Sequence, residues 1–453
     1  MTTQTLNFQR TITIRHHVDV FVAGGGPAGI AAALAAARQG RRVFLAEGQS
    51  AFGGMGTTGG LPMFCGMTDH INFLAGGIGR EVYDRLWQAG GMATFMPRDI
   101  KQADVFFKVE VLKRVYDQLI LDAGIEFSLM TKVIDVETEG DHLTAAICEG
   151  KRGIFAVVAE MFIDCTGDAD LCARAGAPWE QGDADGQVQA GTLCSVWANI
   201  DWEAANAASH GIWQQQDQLP RAFADHLFTI EDPHLPGMIP IMPHIGYGNI
   251  GHTFGVDGTD ERSLTRALMH ARKSLPEYER FYKEYLTGYA EMELVGTAAV
   301  LGIRETRRIV GDYVLNLEDF KNRAIFADEI GRFAYGVDPH STTPTREGFE
   351  RYQRDFTNLQ MPPGEQYGIP YRVLLPQGQH NLLTAGRCVS TDRAMQASLR
   401  VMPGSFITGQ AAGIAAALAI EGSTDTRHIS IEELQTRLLQ LGAFLPNAHV
   451  KID

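Results

Sequence analysis

Residues 18–47 read VDVFVAGGGPAGIAAALAAARQGRRVFLAE, and their order decides the fold. The apolar run 18–23 suits a strand buried on both faces. It leads straight into Gly24-Gly25-Gly26-Pro27-Ala28-Gly29 and then into the Ala-rich segment IAAALAAARQG, a helix ending at Gly40. A second buried strand, 43–46, closes on Glu47. A glycine pattern alone is common, whereas strand, turn, helix, strand and terminal acid at this spacing form a connected signal. Gly24 permits the tight turn, Gly26 lets backbone approach a pyrophosphate, and Gly29 lets helix and strand pack closely. The helix N-terminus offers free N–H groups and a partial positive charge to phosphates. Glu47 can accept hydrogen bonds from ribose hydroxyls and would repel a 2′-phosphate, which excludes an NADP site. The expected fold class is α/β, with a Rossmann-type dinucleotide fold.

The segment that follows separates NAD from FAD. Ala51-Phe52-Gly53-Gly54-Met55-Gly56-Thr57-Thr58-Gly59-Gly60-Leu61-Pro62 is poor for a helix and suited to laying backbone along an extended cofactor. The whole chain, 453 residues and 45% hydrophobic, is long enough for two or three domains. Its formal charge of -15 argues against nucleic acid or an anionic membrane as partner, because both are held through Lys and Arg. The N-terminal residues lack the apolar core of a signal peptide. Residues 401–420, VMPGSFITGQAAGIAAALAI, carry Gln410 in an Ala/Gly-rich run, so a buried core helix is expected rather than a membrane span. Six cysteines without a CxxC pair read as reduced thiols of a cytoplasmic protein, with Cys65 packed in the interior. No Cys/His spacing suggests a metal.

Three further stretches join the N-terminal ones in a resemblance: 161–171 (MFIDCTGDADL), 302–314 (GIRETRRIVGDYV) and 367–413 (YGIPYRVLLPQGQHNLLTAGRCVSTDRAMQASLRVMPGSFITGQAAG). Together they resemble the FAD-dependent oxidoreductases allied to the fumarate reductase and succinate dehydrogenase flavoproteins, of the glutathione-reductase-like superfold. More narrowly, the chain looks like a bacterial group of FAD-dependent oxidoreductases. The resemblance implies that Gly24, Gly26, Ala28 and Glu47 bind the ADP half of FAD, with Pro27 and Gly29 in the same turn. It lays Gly53, Gly54, Met55, Thr57, Thr58 and Gly59 along the pyrophosphate and flavin, and Val133, in TKVIDVE, beside the adenine. Thr166, Gly167 and Asp168 make a second pass near the cofactor, and Gly386 and Arg387 lie by the ribityl chain. A helix opening around Pro403 aims at the isoalloxazine, flanked by Ser398, Val401, Met402 and Ser405. Pro suits such a first turn, and positive helix charge at the flavin N1/C2=O edge eases reduction. The respiratory flavoproteins anchor FAD through a His, and 51–62 has none, so noncovalent FAD is expected.

Residues 176–295 lose the βα rhythm and read as an α+β cap inserted between an FAD-binding first part, 1–175, and its completion, 296–453. Thr259-Asp260 caps a helical stretch that Pro276 is expected to break in two. Such a cap covers a flavin face and shapes a substrate pocket. Candidate acid/base groups are His244 and His252 on a Gly-rich loop, and His340, in YGVDPHSTTP, is a further pocket candidate. Arg304, Arg307 and Arg308 either clamp a carboxylate or tie the cap to the flavin domain. Tyr371, Arg372 and Arg400 are further pocket candidates. The expected activity is hydride transfer between flavin N5 and a small organic substrate, as a dehydrogenase or double-bond reductase with an unidentified electron acceptor or donor. A flavin-binding or assembly protein without turnover is the rival reading, and a homo-oligomer is compatible with either.

Overall fold

The apolar run ahead of Gly24 forms the strand Thr13–Ala23, buried almost throughout from Val18 onward. The computed structural model describes residues 5–97, 103–211, 214–356, 359–448 and 450. Thr13–Ala23 is central in a sheet ordered Glu126–Ser128, Val43–Ala46, Thr13–Ala23, Gly153–Asp164, His142–Gly150 and Lys132–Glu139. Leu382–Thr384 also pairs with Gly153–Asp164, beyond the point where the His142–Gly150 hairpin partner leaves it. Five of these strands run parallel, the arrangement of a sheet buried on both faces. Register brings Ala23, Ala46, Asp164 and Thr384 to one level, so the parallel strands end together. In such sheets ligands bind outside the carboxyl ends of the strands. The residues that leave this edge are Gly24, Glu47, Cys165 and Ala385, each within a stretch singled out above.

Two helices cover this sheet and cross each other closely. Pro27–Arg38 is Ala-rich, and Met402–Gly422 is buried from Met402 to Ala419. A Cβ on Gly409 or Gly413 would stand 2.2 Å from the carbonyl oxygen of Ala28 or Ala32, so only glycine allows the backbones this near. The helix Met402–Gly422 is long and apolar enough to cross a membrane, yet 94% of its apolar window is buried inside the protein. Pro403 sits in its first turn, where no N–H is missed.

The middle of the chain builds a second, antiparallel sheet ordered Gly237–Met242, Ile245–Asn249, Ser195–Ala198 and Glu293–Thr297. Its core of Trp197, Met238, Leu275, Phe281, Tyr282 and Tyr289 is separate from that of the parallel sheet. The helix Glu261–Tyr285 starts at Asp260, whose carboxylate accepts the N–H groups of Arg262 and Ser263. It continues unbroken for 25 residues through Pro276, which corrects the expected break. A proline costs about 3 kcal/mol in a helix interior. Ala271, Leu275, Tyr278, Phe281 and Tyr282 bury one stripe on both sides of the exposed Pro276, and that packing outweighs the lost bond.

Candidate active site

Four strand ends and two helix N-termini converge on the first glycine turn. Gly24 has φ +91°, and a Cβ there would lie 2.6 Å from the Cys165 carbonyl oxygen. A Cβ on Gly29 would lie 1.7 Å from the carbonyl oxygen of Gly24, so this glycine lets the helix sit on the turn. Gly26 differs: its φ of -68° suits any residue, and a Cβ there would meet no protein atom within 4 Å. The second glycine turn lies against it, a Cβ on Gly54 falling 3.4 Å from Gly26 Cα. Gly386 fits between the opening turns of both helices, 3.0 Å from Ala28 Cβ and 3.6 Å from Ser405 Oγ when given a Cβ. Neither helix has a side-chain cap, so Ala28, Gly29 and the first turn after Val401 keep N–H groups directed at this place.

Glu47 closes the adjacent end. Its Oε2 accepts the Gly25 N–H at 2.6 Å and its Oε1 the Gln49 N–H at 2.7 Å. Burial raises its pKa and these backbone donors oppose the rise. Each carboxylate oxygen keeps a lone pair for a ribose hydroxyl. The carbonyl of Glu47 takes the Thr131 N–H at 2.8 Å, which brings the start of the Val133 strand beside it. An open Gly26, two uncapped helix starts and a buried carboxylate on one rim are the donor set that an adenine dinucleotide requires, so the residues present fit FAD.

The other candidates along the cofactor line are placed as follows. Pro27 opens the first helix. Thr57 Oγ1 donates to the Phe52 carbonyl at 2.6 Å, Thr58 Oγ1 to that of Gly54 at 3.2 Å, and the Thr58 carbonyl accepts the Ala299 N–H at 3.0 Å. Met55 lies over Gly59 and Gly302, 2.7 Å and 2.9 Å from the Cβ positions they lack, and Met402 lies over Gly56. Gly53 holds φ +106° at the start of that turn. Thr166 spends its hydroxyl on Asp164 Oδ1 at 2.8 Å and on the Asp170 N–H at 2.9 Å. Arg387 donates to the Gly167 carbonyl at 2.8 Å, to the Ile303 carbonyl and to the Asp168 carboxylate. Ser398 points into the protein, bonded to the Tyr335 carbonyl and Tyr367 hydroxyl. Ser405 Oγ returns to the Val401 carbonyl at 3.3 Å.

Beyond Gly302 the chain turns a cation inward. Arg304 is 8% exposed and donates to the Ala190 carbonyl at 2.7 Å, Thr192 Oγ1 at 2.9 Å and Asn249 Oδ1 at 3.4 Å. All three partners are neutral, and among the described residues no carboxylate is within ion-pairing distance of it. Burial, helped by the charge of Arg400, lowers its pKa to about 10, so it stays charged at neutral pH. Arg400 donates to the Asp338 carbonyl at 3.0 Å and stands 3.8 Å from its carboxylate.

A histidine cluster adjoins the two arginines. His340 Nδ1 and His252 Nε2 are 3.0 Å apart, and His252 Nδ1 is 2.8 Å from Asp232 Oδ2 at an angle poor for a hydrogen bond. His340 Nε2 faces Asp338 at 3.7 Å. His234 stacks on His340 with centroids 4.8 Å apart. The strand pair Gly191–Thr192 and His252–Thr253 sets Thr192 opposite His252, and the His340 N–H is held by Gln189 Oε1 at 2.9 Å. Burial would raise both aspartates, but His252 holds Asp232 below the usual carboxylate range, and His340 with Arg400 does so for Asp338. Burial, then the Arg304 charge, pushes His340 well down, while burial and His252 bring His234 to about 4.

The structure thus gathers His252, Arg304, His340 and Arg400 and separates them from other candidates. Arg307 binds the Asp168 carbonyl and Asp170, and Arg308 pairs with the fully buried Glu305 at 2.6 Å and donates to the Gly182 carbonyl at 3.2 Å, so these two are ties between segments. Arg372 is held on the outside by Asp328 at 2.9 Å and lies over the Tyr313 ring, away from every group just named. The Tyr371 hydroxyl is used by the Thr426 carbonyl. His244, with φ +61° in a hairpin turn, fixes the Ile200 carbonyl. Burial and nearby acids push the Cys65 thiol well up, so it stays protonated. Asp232, His234 and Asp338 belong to the site and were not singled out in the sequence, because nothing in their spacing announces them.

A parallel sheet whose strand ends carry two glycine turns and a buried carboxylate, roofed by an uncapped helix, defines a Rossmann-type flavoprotein. The chain belongs to the FAD dependent oxidoreductase family, whose model matches residues 19–438. It is an FAD-dependent enzyme of redox chemistry. A comparison with curated proteins gives no match. Among solved structures it is similar to a p-nitrophenol 4-monooxygenase from Pseudomonas putida, at 12% identity over 94% of this chain and 87% of that one, with a TM-score of 0.49. It is similar also to a geranylgeranyl bacteriochlorophyll reductase-like protein from Thermoplasma acidophilum, at 14% identity over 94% and 84% and a TM-score of 0.47. A myxobacterial chondrochloren halogenase matches at 14% identity over 93% and 78%, with a TM-score of 0.49.

Proposed function

We propose that the enzyme moves a hydride between noncovalently held FAD and a small organic substrate that carries a carboxylate. The single observation behind this is Arg304, a buried guanidinium whose partners are all neutral. An unpaired buried charge is costly, and a carboxylate ligand supplies the missing counter-ion with a bidentate bond. When bound, FAD would be held by the turns at Gly24–Gly29 and Gly53–Gly59 and by Glu47, and would supply the hydride-accepting or hydride-donating ring. The protein's own part is to hold and orient. Arg304 grips the substrate anion, with its angle fixed by Ala190 and Thr192, and Arg400 lends a second positive charge from beside Asp338. His340 manages the substrate proton, its ring positioned by His252 and Asp338. A separate electron carrier completes the cycle. Such a grip is also what the resemblance to the fumarate reductase flavoproteins implies, in whichever direction the reaction runs.

Titration of the FAD-loaded protein with unreactive carboxylates such as acetate and benzoate tests the grip. The reading expects a saturable shift of the flavin absorption band that Arg304→Gln abolishes. An equal shift in Arg304→Gln refutes it.

A further inference from the structure

The chain Asp232–His252–His340–Asp338 has a proton count that follows from its members. Three contacts join the four groups, at 2.8, 3.0 and 3.7 Å. Two neutral imidazoles bring two ring protons, so with both carboxylates ionised one contact lacks a proton. With those two protons on Nδ1 of His340 and Nδ1 of His252, Nε2 of His340, 3.7 Å from Asp338, is the bare nitrogen at which a proton can enter.

One end of this chain lies by the arginine pocket and the other borders a surface cleft. Arg400, beside Asp338, stands two residues ahead of the helix Met402–Gly422. Asp232 and His252 line a surface cleft whose far wall is His270, Lys273 and Glu277 of the helix Glu261–Tyr285. We propose that His252 and His340 form a two-imidazole relay carrying protons between the Arg304–Arg400 pocket and bulk water through this cleft in the cap. In the oxidative direction a substrate proton joins Nε2 of His340, and the proton on its Nδ1 moves to Nε2 of His252. The proton on Nδ1 of His252 then leaves through Asp232, whose Oδ2 stands 2.8 Å away and turns into line to take it. Reduction reverses the steps. One proton enters as one leaves, and no electron moves. His234, stacked on His340, also faces the pair, and its depressed pKa keeps it out of the exchange near neutrality, while burial holds the Tyr278 hydroxyl by the cleft protonated.

The inference rests on reading Arg304 and Arg400 as the substrate pocket, but its test needs no substrate. FAD-loaded protein labelled with 15N-histidine is examined by NMR, and exchange of each ring N–H with water is read by saturation transfer. Asp232→Asn removes the outlet's charge, and Ser274→Trp fills the cleft with Asp232 in place. Both variants are expected to slow exchange at His252 and His340 by about tenfold or more. The ring of His244, held by Ile200, reports an intact fold by exchanging as before. Unchanged exchange in both variants overturns the relay, and slowing in Asp232→Asn alone overturns the cleft as its outlet. A failed carboxylate titration would overturn the pocket reading and leave these rates as they stand.

Discussion

Replacing Gly26 by Ala separates what the glycine turn does for the fold from what it does for FAD. Gly26 has φ -68° and ψ -175°, a conformation alanine adopts freely, and the new Cβ would meet no protein atom within 4 Å. The apoprotein should keep its stability, or gain about 0.5 kcal/mol from a less flexible unfolded chain. The methyl instead occupies the approach to the uncapped N–H groups of Ala28 and Gly29. A hydrogen bond to a charged group is worth about 2 kcal/mol, so losing one weakens FAD roughly thirtyfold, and losing both roughly a thousandfold. Gly29→Ala is the control, since its Cβ would lie 1.7 Å from the Gly24 carbonyl oxygen. Overpacking of that kind costs about 1–3 kcal/mol or more and strikes the apoprotein itself. Urea unfolding of flavin-stripped protein and quenching of FAD fluorescence on rebinding measure the two quantities. The reasoning is refuted if Gly26→Ala destabilises the apoprotein or binds FAD as tightly as the parent.

Four other outcomes are expected. Arg304→Gln should retain FAD and lose turnover by about a hundredfold or more, read as kcat/KM once a substrate is in hand, because a bidentate charged contact disappears. Arg308→Met leaves Glu305, fully buried, with Arg393 at 3.2 Å as its remaining cation. It should therefore cost about 3 kcal/mol in urea unfolding without altering the flavin spectrum. Arg372→Ala breaks an ion pair whose arginine is 45% exposed, so a loss of about 0.5 kcal/mol or less and unchanged kinetics are expected. His234 has its folded pKa at about 4, below the ordinary 6.5, so protonation favours the unfolded chain. Stability is then full above pH 6.5 and falls as pH drops toward 4, by at most about 3 kcal/mol, and thermal unfolding of His234→Asn should show a flatter acid limb.

The dinucleotide half of the site was legible because its signals are local. Gly24, Gly26, Gly29 and Glu47 lie within one strand–turn–helix–strand unit, and each residue type answers a backbone constraint within that unit. The proposed substrate pocket was only partly legible, because it is assembled across long separations. Arg304, Arg307 and Arg308 look alike in sequence, and the difference arises from what stands opposite each: Ala190 and Thr192, Asp168 and Asp170, or Glu305. Asp232, His234 and Asp338 sit in stretches without period or motif, and only the pairing of Thr192 with His252 and the bond from Gln189 to His340 bring their neighbours together. Arg372 misled for the same reason, since the Asp328 that holds it outside is 44 residues away. Pro276 shows the converse, a strong local signal overruled by the buried stripe on either side.

The substrate-class claim is tested most directly by anaerobic absorption spectra of the FAD-loaded protein across paired small molecules, each carboxylic acid beside its amide. The account predicts that one or more of the acids exchanges a hydride with the flavin, bleaching the oxidised band or restoring it after prior reduction. The matching amide should do so far more slowly, and Arg304→Gln should erase the difference. Reaction with the amides as fast as with the acids would contradict it.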